Sequence, residues 1–284
     1  MKTNKRAILN LHIAVMMFGL SGVIGQFVEI PPVMVAFGRV ACSSVLLLLM
    51  MRMKREPLRL KEKKDYVLII VTGMILAVHW TTFFQSIQVS SVAIGTITFS
   101  TFPLFLTFLE PLVFHEKLYK QSVIGAMLLM IGVFITIPEF SIGNQTTVGI
   151  IWGMICSLTY AFLTLANRYF SDKYDGKLIC FYEQGTAAIV LIPALFLLNV
   201  HWRRQDIVGV AFIGFVCTAF AYTLYVDAQK KVKAQTAGLI SGMETVYGIL
   251  YALIFLGEIP TIREVIGGMM ILGVALFCSI QKNN

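Results

Sequence analysis

The sequence predicts an all-α membrane protein of ten transmembrane helices, built as two inverted five-helix repeats with both termini cytoplasmic. Three observations carry that expectation. Apolar runs of about 20 residues recur along the chain, each long enough to cross a ~30 Å hydrocarbon core as a helix. Only 13% of the 284 residues are charged, against roughly 25% in soluble domains, and the mean hydropathy is +0.80. Finally, a shift of 142 residues, half the length, superposes the apolar pattern of one half on the other.

The runs place the helices in order. The first covers about Ala7 to Val28. Its start resembles a signal peptide, but it lacks a small-x-small cleavage site and its apolar run continues, so it reads as a retained helix. The second covers Val33 to Met51 and is followed by the basic stretch RMKREPLRLKEKK. The third runs Tyr66 to Ser86, the fourth Ser91 to Phe114, and the fifth Gln121 to Pro138. The second half repeats the pattern with Thr147 to Tyr169, Lys177 to Leu198, Ile207 to Asp227, Gln235 to Leu256 and Ile262 to Ile280. The repeat units are therefore 1–142 and 143–284, with no linker long enough for a soluble domain.

Charge sets the orientation. With the N-terminus inside, 19 of the 23 Lys and Arg residues fall in inside segments and three, Arg203, Arg204 and Arg263, fall outside. Arg39 lies within a helix. That asymmetry is what positive-inside topology produces. The net charge of +8 thus belongs to lipid-facing loops, and no aromatic-basic platform for nucleic acid accompanies it. The five cysteines lie in apolar runs without a CxxC, which argues against a disulfide framework or metal site and for small buried hydrophobes. No cofactor motif is present.

Glu116 to Met127 and Glu258 to Met269 match at five of twelve positions without a gap. A five-helix unit is odd, so the second copy enters the membrane from the opposite side. Inverted repeats recur in alternating-access transporters, which hold substrate between the halves near the midplane.

Each half ends in a helix, a turn with Glu and a glycine-bearing helix, FPLFLTFLEPLVFHEKLYKQSVIGAMLLMIGV and METVYGILYALIFLGEIPTIREVIGGMMILGV. This resembles the doubled repeat of EamA-type carriers in the drug/metabolite transporter superfamily. Arg39 in FGRVACSSVLLLL matches the arginine usual in their second helix, and WGMICSLTYAFLTLANRYF matches their sixth. The resemblance spans nearly the whole chain. It implies ten helices in a bacterial inner membrane and carriage of amino acids, nucleotide-like metabolites or drugs. It also implies a cavity lined mainly by the first, third, fourth, sixth, eighth and ninth helices. One departure is Thr245, where the second half lacks a counterpart of Pro103.

Ionisable groups deep in a bilayer are costly unless paired or watered, so each is a candidate for function. Glu244 sits near mid-depth among small residues in GLISGMETVYG; it is placed to hold an amine or cycle a proton, or to make a structural hydrogen bond. His79, beside Trp80, also lies near mid-depth and is a candidate for substrate binding or proton coupling, a satisfied core histidine being equally open. Tyr160 and Tyr222 offer stacking surface with a hydroxyl handle. Arg39 is expected to snorkel to the outer interface, with gating of that side or binding of an anionic group as alternatives, and Glu183 to pair with Lys177 or line the inner entrance. Pro103 within TFSTFPLFLTF is expected to form a hinge by freeing a backbone carbonyl. His12, Glu110 and Asp227 lie near inner helix ends, satisfied by water and basic loops. Glu116 and Glu258 sit in turns before helices and read as structural partners of those helix N-termini.

Two function classes remain. One is a secondary transporter of a small polar metabolite, amino acids first, working as an exporter, with a proton as candidate coupling ion and a homodimer as candidate assembly. The other is a membrane enzyme. Nothing like HxxxD or HExxH occurs and the loops are short, so an enzymatic centre has nowhere to form.

Overall fold

The computed structural model describes residues 5–115, 118, 120–137, 143–229 and 234–281; side chains at 121, 122, 226, 227, 229, 234–239, 241 and 275–281 lie outside the description. Glu116 and the side chains of Asp227 and Cys278 therefore fall outside it. Every described element is helical: α1 (Lys5–Phe27), α2 (Pro32–Met53), α3 (Lys63–Val89), α4 (Val92–Phe99), α5 (Phe102–Phe114), α6 (Lys120–Thr136), α7 (Gln145–Ser171), α8 (Gly176–Leu197), α9 (Arg204–Phe212), a π-helical segment (Ile213–Phe220), α10 (Ala221–Gln229), α11 (Ala234–Phe255) and α12 (Ile262–Gln281). A helix lies in each of the ten expected stretches. Among the described residues seven helical spans are long and apolar enough to cross a membrane, and Val123–Thr136 and Gly242–Phe255 are shorter apolar helices. The protein is a multi-pass integral membrane protein.

Two stretches differ from plain helices, each for a local reason. Pro103 has no N–H with which to bond the carbonyl four residues back. The helix ends at Phe99, turns at Ser100 and Thr101, and restarts as α5 with Pro103 in its first turn, where the missing donor costs nothing. The hinge expected at Pro103 is thus a full interruption just before it. Hydroxyls reinforce the end of α4: Ser100 Oγ donates to Thr96 O at 3.0 Å and Thr101 Oγ1 to Thr98 O at 2.7 Å, carbonyls that also keep backbone donors. The second is the π segment, where Thr218 Oγ1 donates five residues back to Ile213 O at 2.8 Å. α11, which carries Thr245 instead of a proline, runs unbroken.

Packing between α1–α6 and α7–α12 follows paired rules. α3 packs on α7 as α1 packs on α10; α1 packs on α11 as α7 packs on α4 and α5; α3 lies on α8 as α2 lies on the π segment. α2 with α8, α4 with α11 and α6 with α12 pair likewise, while α4 also touches α12. Apart from the α4–α12 contact, each of these pairings is the image of another, or of itself, under the 142-residue shift.

Small residues allow the closest crossings. A methyl on Gly19 of α1 would lie 2.9 Å from Gly248 N and 3.0 Å from Glu244 O of α11. A methyl on Gly267 of α12 would meet Gly132 O of α6 at 2.7 Å. The first of these backbone contacts fixes the turn of α11 that carries Glu244.

Candidate functional site

The middle of the bundle holds a cation. Arg39 of α2 is 2% exposed, and its guanidinium carbon lies 3.4 Å from the centroid of the Trp80 ring of α3. Nη1 donates to Ser21 Oγ of α1 at 3.4 Å, while Nε is buried without a hydrogen-bond partner. The expected snorkelling to the outer interface is therefore corrected. The indole face, which attracts a cation most strongly when water is excluded, holds Arg39 inward.

An aromatic box adjoins it. His79 is 1% exposed and its Nδ1 lies 3.1 Å from Cys156 O of α7. A carbonyl only accepts, so this contact requires the proton on Nδ1. The imidazole sits 4.6 Å from Trp80, 5.4 Å from Tyr160 and 5.8 Å from Phe99, centroid to centroid. Tyr160 of α7 also meets Phe99 and Phe102 at 4.9 Å each, so this box is built on the interruption between α4 and α5. The same interruption is tied to both neighbours by hydroxyl pairs, Thr101 with Ser157 and Ser100 with Thr245. Thr245, the position that lacks the proline, thus reaches the break that the proline makes.

Two carboxylates enter from the other half. Glu244 of α11 lies deep in the bundle within electrostatic reach of Arg39 and Tyr160, yet the two charges form no ion pair. Glu183 of α8 is 4% exposed with Oε1 unbonded. It does not pair with Lys177, which instead binds Glu56 at 2.7 Å; the expected Lys177 partnership is corrected, because α8 turns Glu183 onto Gly73 of α3, where its backbone carbonyl packs. Tyr222 of α10 lies near Cys180, Glu183 and Tyr160.

Trp80, Tyr160, Tyr222 and Glu244 are each partly accessible although the last three lie deep between helices. These four side chains come from α3, α7, α10 and α11, and Arg39 and His79 lie against Trp80 and Tyr160 among them. Opposite charges, an imidazole and flat aromatic faces suit a small polar ligand carrying charge. Among the described residues no group of three or more His, Cys, Asp or Glu side chains could hold a metal ion.

Other expected residues sit elsewhere. His12 Nδ1 lies 2.8 Å from Tyr247 Oη across the α1–α11 contact, and Glu110 pairs with Arg168. Glu258 accepts from Val92 N–H at 3.1 Å, so it meets the start of α4, not of the helix that follows it. Sequence reasoning missed Phe99, Phe102 and Ser21 because single aromatic and hydroxyl residues are common in membrane helices. It also missed Asp65 and Asp206, both 0% exposed, although carboxylates at helix starts were there to be read.

Comparison with known proteins agrees with this architecture. The model of the EamA-like transporter family matches twice, over residues 5–137 and 147–280. An uncharacterized transporter of Bacillus subtilis, YxxF, is 24% identical, covering 97% of this chain and 90% of its own. The uncharacterized inner membrane transporter YicL of Salmonella typhimurium is 22% identical over 99% and 98%. An uncharacterized transporter of Helicobacter pylori is 27% identical over 84% and 83%. A solved crystal structure shares the fold with a TM-score of 0.66 at 15% identity, covering 99% of this chain and 98% of its own. Bacterial inner-membrane placement fits these bacterial relatives, and a transporter family implies a small-molecule substrate in a lipid environment. With matches over both halves, the chain belongs to the EamA-like transporter family.

Proposed function

We propose that this protein is a secondary transporter that exports a small polar metabolite, amino acids and related compounds foremost, across the bacterial inner membrane by alternating access. Residues 1–142 and 143–284 act as the two inverted units, and the paired helix contacts support that division. Both termini lie on the cytoplasmic side, as the placement of basic residues requires.

The observation that carries the substrate class is the relation of Arg39 to Glu244. The two are opposite charges in one interior, within reach of each other and unpaired. A zwitterion answers both: its carboxylate faces Arg39 and its ammonium faces Glu244, while Trp80, Tyr160 and Tyr222 contact its side chain. A buried charge seeks such a partner strongly, since desolvation without one is costly. A proton on Glu244 or His79 is the candidate coupling ion.

Flux in proteoliposomes across a panel of amino acids, nucleotide-like metabolites and drugs, in both directions, tests this. The expected result is saturable flux of amino acids, faster in the export direction. Absence of flux for every compound with correctly folded protein overturns the carrier; flux of drugs alone overturns the zwitterion.

A further inference from the structure

Asp65 and Asp206 occupy the same place in the two halves. Each is the third residue of its helix, α3 and α9 respectively, and the 142-residue shift carries one to within a single residue of the other. Both side chains are fully buried, which carboxylates rarely are unless paired. Each grips the other half near its first helix turn-around. Asp65 accepts from Tyr174 Oη at 2.6 Å, Tyr169 Oη at 2.9 Å and Lys173 Nζ at 3.4 Å, all at the end of α7 or in the α7–α8 turn. Asp206 accepts from the backbone N–H of Glu29, in the α1–α2 turn, at 3.1 Å. Its neighbour Arg203 donates to it through Nε and Nη2 at 3.0 Å each and also pairs with the Glu29 carboxylate.

The two clusters lie at opposite ends of the bundle, and α3 measures the separation. Asp65 is in its first turn and Gln88 in its last, where Gln88 Nε2 donates to the carbonyls of Gly25, Val28 and Ile30 at the α1–α2 turn. The 23 residues between them span about 35 Å at 1.5 Å per residue, close to a membrane thickness.

We propose that Asp65 and Asp206 are paired gate latches, each tying one end of the bundle shut, and that the transport cycle releases them alternately. This rests on the alternating-access reading above and names its moving contacts. A latch must hold firmly when formed and release without stranding charge in lipid. Several convergent donors on one carboxylate supply the first property. The second follows from position: the donors Lys173 and Arg203 remain 26% and 35% exposed, so both partners rehydrate when the end opens. Equivalent positions in inverted units put one such latch at each end, and both are formed here.

The test uses the full chain, with its native cysteines replaced, in nanodiscs of phosphatidylethanolamine and phosphatidylglycerol. Nitroxide pairs at Arg59→Cys with Asp172→Cys, and at Phe27→Cys with Gln205→Cys, report the two ends; all four sites are exposed. Asp65→Asn is expected to lengthen the first distance by ~5 Å or more, the scale of a one-turn slip, and leave the second unchanged. Asp206→Asn is expected to do the reverse. If either variant fails to fold, Tyr169→Phe and Tyr174→Phe with Lys173→Met, or Arg203→Met, removes the side-chain donors instead. Unmoved distances in all these variants, or opening of the same end by both aspartate changes, overturn the proposal. Wild-type flux with unmoved labels sinks the latches alone; moved labels without flux of any compound sink the carrier reading alone.

Discussion

Arg39 lies flat over Trp80, its guanidinium carbon 3.4 Å from the ring centroid, so the cation in the bundle is held by an aromatic face and not by a carboxylate. That arrangement leaves its charge available to an incoming anion. It also makes lysine a poor substitute, because an ammonium is more strongly hydrated and has no planar face to stack. Arg39→Lys is expected to lower kcat/KM for the transported compound by about thirtyfold, the equivalent of a desolvated cation–π contact of about 2 kcal/mol. Trp80→Leu is expected to do the same. Proteoliposome flux measures both, and wild-type rates with lysine would show that the stack is dispensable.

The polar centre makes a second prediction. Glu244→Gln keeps shape and removes charge, so the folded protein should persist while flux of amine-bearing compounds falls at least about tenfold, the loss of a charge-assisted hydrogen bond. Unchanged flux from pH 5.5 to 8.5 would remove Glu244 from the mechanism. His79→Ala removes the ring donor from the buried Cys156 carbonyl, which still accepts from Thr159 Oγ1 at 2.8 Å, so the fold should persist while transport slows. Normal flux in that variant moves the central site to other helices.

How much of this was legible follows from what a linear pattern encodes. Helix positions are local, set by apolar length, and every expected stretch holds a helix. The family resemblance was legible for the same reason, since its motifs are contiguous. The direction of Arg39 was not, because it depends on Trp80 forty-one residues away on another helix. His79 and Trp80 were visible as neighbours, but their assembly with Phe99, Phe102 and Tyr160 required the break at Ser100 and Thr101. Glu258 was placed correctly in its turn and given the wrong helix, since its contact with Val92 crosses between the halves.

The Asp65 cluster predicts a flat pH response. Hydrogen bonds from Lys64 first and Lys173 next hold the Glu62 carboxyl below its ordinary 4.5. Its contribution is therefore present above that value and lost as pH falls through the depressed one. Hydrogen bonds to Tyr169 first, then Glu62 and Asp65, hold the Lys173 ammonium above its ordinary 10.5. That contribution is complete below 10.5 and lost only as pH rises beyond it. The distance between labels at residues 59 and 172 should thus stay constant from about pH 5 to 10 and lengthen outside that window. A transition near pH 6 to 7 would assign the control of this end to a histidine instead.

Glu258 offers the last test, on stability. Burial, more than any neighbour, raises its carboxyl above the ordinary 4.5, while the Val92 N–H it accepts pulls the other way. A raised value means that its contribution is present below 4.5 and is lost as pH rises through the folded value. Glu258→Gln keeps an acceptor for Val92 without the charge, so it should match wild type at pH 4 and melt at the same or a higher temperature at pH 8. Glu258→Ala removes the acceptor at the start of α4 and should cost about 1 kcal/mol at pH 4, as loss of a helix cap does, and less at pH 8. Thermal unfolding in detergent separates the three proteins. Equal melting of alanine and wild type at both pH values would mean that this cross-half contact contributes nothing to the fold.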